Sequence, residues 1–86
     1  MYKVEWTEKA KKQLAKLDKP TAEKIRNKVK NHLVKDPFNL GKPLLHAYKG
    51  LYRYKIGDYR VVYQIRESEL LIIVATAGHR KDIYWV

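Results

Sequence analysis

The stretch GLYRYKIGDYRVVYQI, residues 50–65, decides the fold. Leu51–Ile56 and Tyr59–Arg66 are rich in aromatic and β-branched residues, which are typical of β-strands. Gly57 and Asp58 lie between the two segments, and a two-residue turn that contains glycine is the common connection of a β-hairpin. The stretch therefore predicts two adjacent antiparallel strands.

A third strand and a long connection flank this hairpin. Leu70–Ala77 is apolar on both faces, as a central buried strand would be, and we expect it to end at Gly78. The tail, residues 79–86, is too short to form a core element. Before the hairpin, residues 36–49 show no regular period and predict a long loop. The residues that punctuate it are Pro37, Gly41 and Pro43.

The N-terminal half predicts one strand and two helices. Residues 2–6 alternate between apolar and charged side chains, which favours a strand with one buried face. Thr7 can cap an amphipathic helix that runs to about residue 17, and Asp18 can cap a second one that runs to about Lys35. The short break between them predicts an antiparallel helical hairpin.

These elements together predict a single α+β domain over residues 1–86, in the order β-α-α-β-β-β. The helical hairpin packs on one face of a small, mainly antiparallel four-stranded sheet. The other face is left as an open concave surface. Arg53 and Lys55 share that face of their strand, and Arg60 can join them across the hairpin. Such a cluster of cations is unfavourable unless an anion binds there.

Charge and composition narrow the partners. Nineteen Lys and Arg residues against nine Asp and Glu give a net charge of +10, which attracts nucleic acid, an anionic membrane surface or an acidic protein. The absence of cysteine excludes cysteine nucleophiles and thiolate metal sites. The N-terminus does not resemble a signal peptide, and no apolar run is long enough to span a bilayer. We therefore expect a cytoplasmic protein with no membrane partner, metal or cofactor.

Two blocks of the sequence carry a family resemblance. Residues 50–65, followed by an apolar strand and then AGHRKDIY at residues 77–84, closely resemble the RelE group of the RelE/ParE toxin superfamily. The element order, the length, the charge and the missing cysteines match as well, so the resemblance covers the whole chain. It implies the toxin of a type II toxin–antitoxin system. Its activity would be that of a metal-independent endoribonuclease that cleaves messenger RNA in the ribosomal A site. The 2′-hydroxyl would attack the adjacent phosphorus and leave a 2′,3′-cyclic phosphate. Cleavage of the messenger would inhibit translation.

The same resemblance implies the site residues. Those implied to bind RNA are Arg53, Lys55 and Arg60, and those implied to be catalytic are Lys55, Arg60, His79, Arg80 and Tyr84. Arg60 and Arg80 would stabilise charge at the scissile phosphate, and Tyr84 would contact the substrate base. Arg53 stands where the family usually has lysine, and an arginine stays protonated, which argues against its being the general base.

His79 is implied to be a catalytic acid by resemblance to the YoeB-like toxins, which place a histidine at this position. Those toxins pair it with a glutamate in the long loop. Here the corresponding stretch is GKPLLHAYKG, residues 41–50, with Leu44 and His46 in place of that carboxylate. The match to their mechanism is therefore incomplete.

The implied partners are a cognate acidic antitoxin of the RelB type, the ribosome and messenger RNA, with operator DNA bound only through the antitoxin. Two other functions remain open: a ParE-like poison of DNA gyrase, and a catalytically degenerate toxin-fold module that acts as a co-repressor. Some of the charged residues are expected to have no role in RNA binding. The helix lysines are expected to be a solvated surface, and Arg66 is expected to pair with Glu67 or Glu69.

Overall fold

The computed structural model describes residues 1–83, which form a five-stranded sheet with helices on one face. The helices and strands in chain order are β1 (Lys3–Trp6), α1 (Glu8–Ala15), α2 (Lys19–Asn31), α3 (Pro37–Leu40), β2 (Lys42–Pro43), β3 (Leu51–Ile56), β4 (Tyr59–Arg66) and β5 (Leu71–His79). The strand order is β1-β5-β4-β3-β2, and every pairing is antiparallel except that of β1 with β5. The predicted α+β class is confirmed, as are both strands of the central hairpin with their bounds.

The sheet has five strands, so the prediction of four is wrong. The extra strand is β2, which pairs antiparallel with the start of β3 inside the segment that was predicted to be a loop. Gly41 allows this approach, because a Cβ atom there would lie 2.8 Å from the carbonyl oxygen of Arg53 and closer still to the Tyr63 hydroxyl. α3 lies in the same predicted loop.

Both helix starts follow the predicted caps. The side chain of Thr7 accepts a hydrogen bond from the Ala10 amide (3.1 Å), and that of Asp18 accepts one from the Thr21 amide (3.2 Å). The Thr21 hydroxyl also donates to Asp18, and these bonds lower the pKa of its carboxyl group. α2 ends at Asn31 rather than near Lys35, since His32 leaves the helical conformation and its Nδ1 is hydrogen-bonded to the Tyr54 hydroxyl.

The core lies between α1, α2 and one face of the sheet. Ile25, Val29 and Leu33 are fully buried against the sheet, as is Tyr63 on β4. The Tyr63 hydroxyl donates a 2.7 Å hydrogen bond to the carbonyl oxygen of Pro37, and burial raises the pKa of this phenol well above its usual value. Tyr63 therefore fastens the segment before β2 to the middle of the sheet.

β5 is paired by β1 over only part of its length, from Leu71 to Val74. Beyond that point two side chains before and within α1 complete its edge. The Thr7 hydroxyl donates to the Ala75 carbonyl oxygen (2.9 Å), and Gln13 Oε1 accepts from the Ala77 amide (2.9 Å). Gln13 Oε1 also accepts from the Thr76 hydroxyl (2.8 Å). With its edge satisfied, β5 continues through Gly78 to His79, further than predicted.

Within residues 1–83, no helix has the length and apolar character needed to cross a membrane.

Gly41→Ala should lower the free energy of unfolding by about 1–3 kcal/mol, because the added methyl group must displace Tyr63 or the backbone of β3. Gly78→Ala is the matched control. Among residues 1–83, a Cβ there meets Ile83 alone, at 3.7 Å, so this variant should keep or slightly exceed the wild-type stability. Urea unfolding followed by circular dichroism measures both, and equal losses would contradict the packing role of Gly41.

Candidate functional site

Strand register separates the charged residues of the hairpin from the core. Lys55 pairs with Arg60, which in turn pairs with Gly78, so these positions share one face of the sheet. Ile56, Tyr59 and His79 are likewise in register, and they share the opposite face, on which Ile56 and Tyr59 pack with the core. The face away from the core thus carries the cations, as predicted.

Four cations occupy three adjacent strands on this face, and we call them the basic strip: Lys42, Arg53, Lys55 and Arg60. The antiparallel register sets Lys42 opposite Arg53 and Lys55 opposite Arg60. The neighbouring charge of Arg53 lowers the pKa of Lys55 most, and Arg60, slight desolvation and Lys42 lower it further. The sequence analysis missed Lys42, because a two-residue strand is too short to show a period.

The Gly57–Asp58 turn brings Arg60 and Arg80 to one end of the sheet. Arg60 Nη1 donates to the carbonyl oxygens of Gly57 (3.4 Å) and Tyr59 (3.2 Å). The Arg80 amide donates to the Asp58 carbonyl oxygen (2.8 Å), and Arg80 Nε lies 3.9 Å from Asp58 Oδ1. This ion pair is exposed, and ion pairs of this kind contribute little to stability. The sequence analysis placed Asp58 in the hairpin turn but did not predict its contact with Arg80.

The His79 ring lies on the other face from Lys55 and Arg60, so the structure does not bring its side chain into the basic strip. The ring packs edge-to-face against Tyr59, with centroids 5.3 Å apart. Its Nδ1 accepts a hydrogen bond from the Lys81 amide (3.1 Å), which places the proton of the neutral ring on Nε2. Tyr84, the remaining predicted site residue, lies outside the described residues.

One residue after β5, Ile83, takes part in packing, contrary to the expectation from the length of this segment. Ile83 is only 2% exposed and lies over Gly78 on the face that carries Arg60. Val62, on the same face of β4, is also fully buried. This end of the face is therefore covered. The part that stays open carries Lys42, Arg53 and Lys55.

One smaller prediction can be compared with the structure. Arg66 Nη1 lies 3.7 Å from Glu69 Oε2, so the predicted pairing with the acidic turn is present. His46, in the loop where a catalytic glutamate is missing, has a positive φ of 58°. In the part of the chain that the structure describes, no three His, Cys, Asp or Glu residues are grouped as metal ligands would be.

Comparison with known proteins adds a family match over nearly the whole chain. A sequence model of the family described as "ParE toxin of type II toxin-antitoxin system, parDE" matches residues 4–84. Toxin RelG of Mycobacterium tuberculosis is 29% identical over 83 residues, which cover 96% of this chain and 95% of that protein. Toxin RelE of the same organism is 32% identical over 83 residues, covering 96% and 86%.

Solved structures show the same fold. The toxin–antitoxin complex RelBE2 from M. tuberculosis contains a chain that matches with a TM-score of 0.88 and 26% identity, covering 92% of this chain and 98% of that one. The isolated E. coli RelE toxin matches with a TM-score of 0.76 and 24% identity, covering 98% and 92%.

Lys55→Gln should raise the melting temperature at neutral pH and low salt. The folded state lowers the pKa of Lys55, so its charge opposes folding fully below that pKa. The cost shrinks as the pH rises above it and is gone above the higher pKa of the unfolded chain. The gain should vanish between about 0.01 M and about 1 M salt, where the screening length falls from roughly 30 Å to 3 Å. Lys9→Gln on exposed α1 is the charge-matched control in thermal unfolding. A destabilised Lys55→Gln protein, or a gain that persists in high salt, contradicts the repulsion within the basic strip.

Proposed function

This chain belongs to the RelE/ParE superfamily of toxins of type II toxin–antitoxin systems, and from that premise we propose that it is a ribosome-dependent endoribonuclease. It cleaves messenger RNA in the A site by attack of the 2′-hydroxyl on the adjacent phosphorus. The observation that supports this most directly is the meeting of the basic strip with Arg80 at the Gly57–Asp58 turn. Closely spaced cations favour the binding of RNA, whose reacting phosphate gains negative charge during cleavage.

The attack needs a base that takes the proton of the 2′-hydroxyl. We assign this role to Lys55, because its like-charged neighbours lower its pKa and so raise the fraction of neutral amine. Arg53 beside it stays protonated and serves as a phosphate-binding residue instead. The basic strip thus combines a lysine whose pKa is lowered with two arginines that stay protonated.

The phosphorus becomes pentacoordinate during the attack and its oxygens gain negative charge. Arg60 and Arg80 are the groups assigned to stabilise that charge, because a guanidinium binds phosphate oxygens through two parallel N–H donors. The Arg60 side chain contacts backbone carbonyl oxygens and the Arg80 side chain contacts the exposed carboxylate of Asp58. Both arginines therefore lie near the tip of the hairpin without being buried. Both should therefore contribute more to the chemical step than to docking.

The 5′-oxygen leaves with a proton from an acid. His79 and Tyr84 remain the predicted proton donors. The hydrogen bonding of His79 indicates which of its two ring nitrogens would donate the proton. Because Nδ1 accepts from the Lys81 amide, Nε2 is the nitrogen that carries the transferable proton. The ring lies at the sheet end rather than in the basic strip. An acid–base set this dispersed supports dependence on the ribosome to orient the message.

The proposed protein partner is an acidic antitoxin of the RelB type. Several solved relatives of this fold are toxin–antitoxin complexes, among them RelBE2 of M. tuberculosis and the E. coli RelBE complex. A chain of net charge +10 with an open basic strip is complementary to an acidic segment that folds across it. Operator DNA would be contacted through that antitoxin.

A second candidate is a ParE-like poison of DNA gyrase, which the description of the matching family favours. The set Lys55, Arg60, His79, Arg80 and Tyr84 favours the ribonuclease, because ParE-type chains generally lack it. The third candidate, a degenerate co-repressor module, has the fold and the antitoxin but no activity of its own.

Arg80→Ala and Arg60→Ala should each slow single-turnover cleavage on saturated ribosome complexes by about a hundredfold to a thousandfold, the usual cost of losing one transition-state donor. Arg60→Ala should also weaken binding, since this side chain meets the phosphate before reaction. Lys12→Ala, on the exposed surface of α1, is the control and should react at the wild-type rate. A larger loss in the control than in either arginine variant places the site elsewhere.

The wild-type protein should cut messenger RNA within the A-site codon of programmed ribosomes and cut free RNA poorly. Cleavage-site mapping in a purified translation system measures both. Efficient cutting of free RNA contradicts the dependence on the ribosome. Intact messenger with accumulated gyrase–DNA cleavage complexes supports the gyrase poison, and the absence of both activities supports the degenerate module.

A further inference from the structure

The basic strip continues past the proposed reaction centre to an edge that the proposed function does not use. β2 adds Lys42 to the face, opposite Arg53 and one strand further from Arg60. Adjacent strands lie about 4.8 Å apart, so the cations of β4, β3 and β2 span roughly 10 Å across the sheet. That width exceeds what a single phosphate can contact. Lys42 and Arg53 are therefore available to a second group of the same ligand.

Two cavities meet at the Lys42–Arg53 pair. The smaller, of about 160 Å³, lies on the side of Lys55. The larger, of about 410 Å³, is lined by residues 43–48 together with Lys42 and Arg53. Its volume falls within the range of small-molecule pockets, whereas the smaller cavity suits a group the size of a phosphate. Among residues 1–83, no carboxylate lines either cavity.

The wall of the larger cavity has the character of a base-binding surface. Tyr48 is 39% exposed and Leu45 is 70% exposed, although both are large apolar side chains. Between them His46 has a left-handed backbone conformation, which costs energy for a residue with a side chain and is common at ligand sites. An exposed aromatic ring beside two cations is the combination that binds single-stranded nucleic acid, with the base on the ring and the phosphate on the cations.

We propose that Lys42, Tyr48 and the loop of residues 43–48 form a second nucleotide subsite, which holds the nucleotide next to the cleaved phosphodiester. Lys42 and Arg53 bind its phosphate, and its base stacks on Tyr48. This rests on the proposed ribonuclease function and extends it from the reacting bond to a flanking nucleotide. The subsite makes the rate depend on that nucleotide even though it takes no part in the chemistry.

The first test is single-turnover cleavage on programmed ribosomes with messengers that carry one abasic position on either side of the cut. Tyr48→Ala should lower the cleavage rate, or raise the toxin concentration that gives half the maximal rate, by about 5- to 150-fold, which is the range for a lost base stack. Tyr48→Phe keeps the ring and should restore the wild-type value. An abasic position at the nucleotide that stacks on Tyr48 should slow cleavage by the wild type by a similar factor. It should not slow cleavage by Tyr48→Ala further. Lys9→Gln is the charge-matched control for Lys42→Gln, and thermal unfolding checks that the variants are folded.

The second test needs no cleavage. Binding of a short 2′-O-methylated single-stranded RNA to the full chain is measured by fluorescence anisotropy over a salt series. Lys42→Gln should reduce the slope of log affinity against log salt by about 0.7, the value for one phosphate contact on a single strand. Lys9→Gln should leave the slope unchanged.

The outcomes separate the subsite from the function on which it rests. If the wild type cleaves, but the variants cleave at the same rate and abasic messengers are cut as fast as intact ones, the subsite is wrong and the ribonuclease stands. If the wild type does not cleave but Lys42→Gln lowers the salt slope of RNA binding as stated, the subsite stands and the ribonuclease does not. If these variants lose only binding of an acidic antitoxin peptide, the surface belongs to a protein partner and the proposal is overturned. Loss of neither cleavage nor binding in any variant also overturns it.

Discussion

The hydrogen bonds between the α1 region and the free edge of β5 are the constraint on which the rest of the structure depends. β1 covers the first part of β5, and Thr7 and Gln13 satisfy the backbone where β1 stops. An unpaired edge at this point would leave polar groups of Ala75 and Ala77 without partners, at a cost of about 1–3 kcal/mol for each buried group. Together with the pairing of β4 with β5 up to Tyr59 and His79, these bonds hold β5 extended and so fix where Arg80 leaves the sheet.

The division of the sheet into two faces separates stability from function. One face supplies the core through residues such as Val61 and Tyr63, and the other collects Lys42, Arg53 and Lys55 at its open end. Repulsion within that group lowers the pKa of Lys55 and opposes folding. A local arrangement that weakens the fold without a compensating contact is the kind that functional sites tolerate. The covered end, under Ile83, shows that the same face can also be packed when its residues are apolar.

Much of the fold could be predicted because its signals are local. The Gly57–Asp58 turn and the alternation around it fixed the bounds of β3 and β4, and the caps Thr7 and Asp18 fixed the helix starts. The fifth strand could not be predicted, because β2 depends on a close approach to Tyr63 rather than on any pattern of its own. The predicted grouping of Arg53, Lys55 and Arg60 followed from strand alternation alone. The ion pair of Asp58 with Arg80 and the position of Lys42 depend on contacts between distant segments, which one sequence does not reveal.

The Thr7–Ala75 hydrogen bond joins residues 68 positions apart, and this separation has a consequence for folding kinetics. The β3–β4–β5 meander connects through short turns, so its contacts form at a small cost in loop entropy. Docking of β1 beside β5 closes a loop that contains nearly the whole chain, and long-range closures of this kind slow folding. We therefore expect the meander to form first, with its core face exposed until the N-terminal strand and helices arrive. A meander formed before that docking would expose Val61, Tyr63 and Val74, which are buried in the folded protein, and such exposed apolar surface favours aggregation.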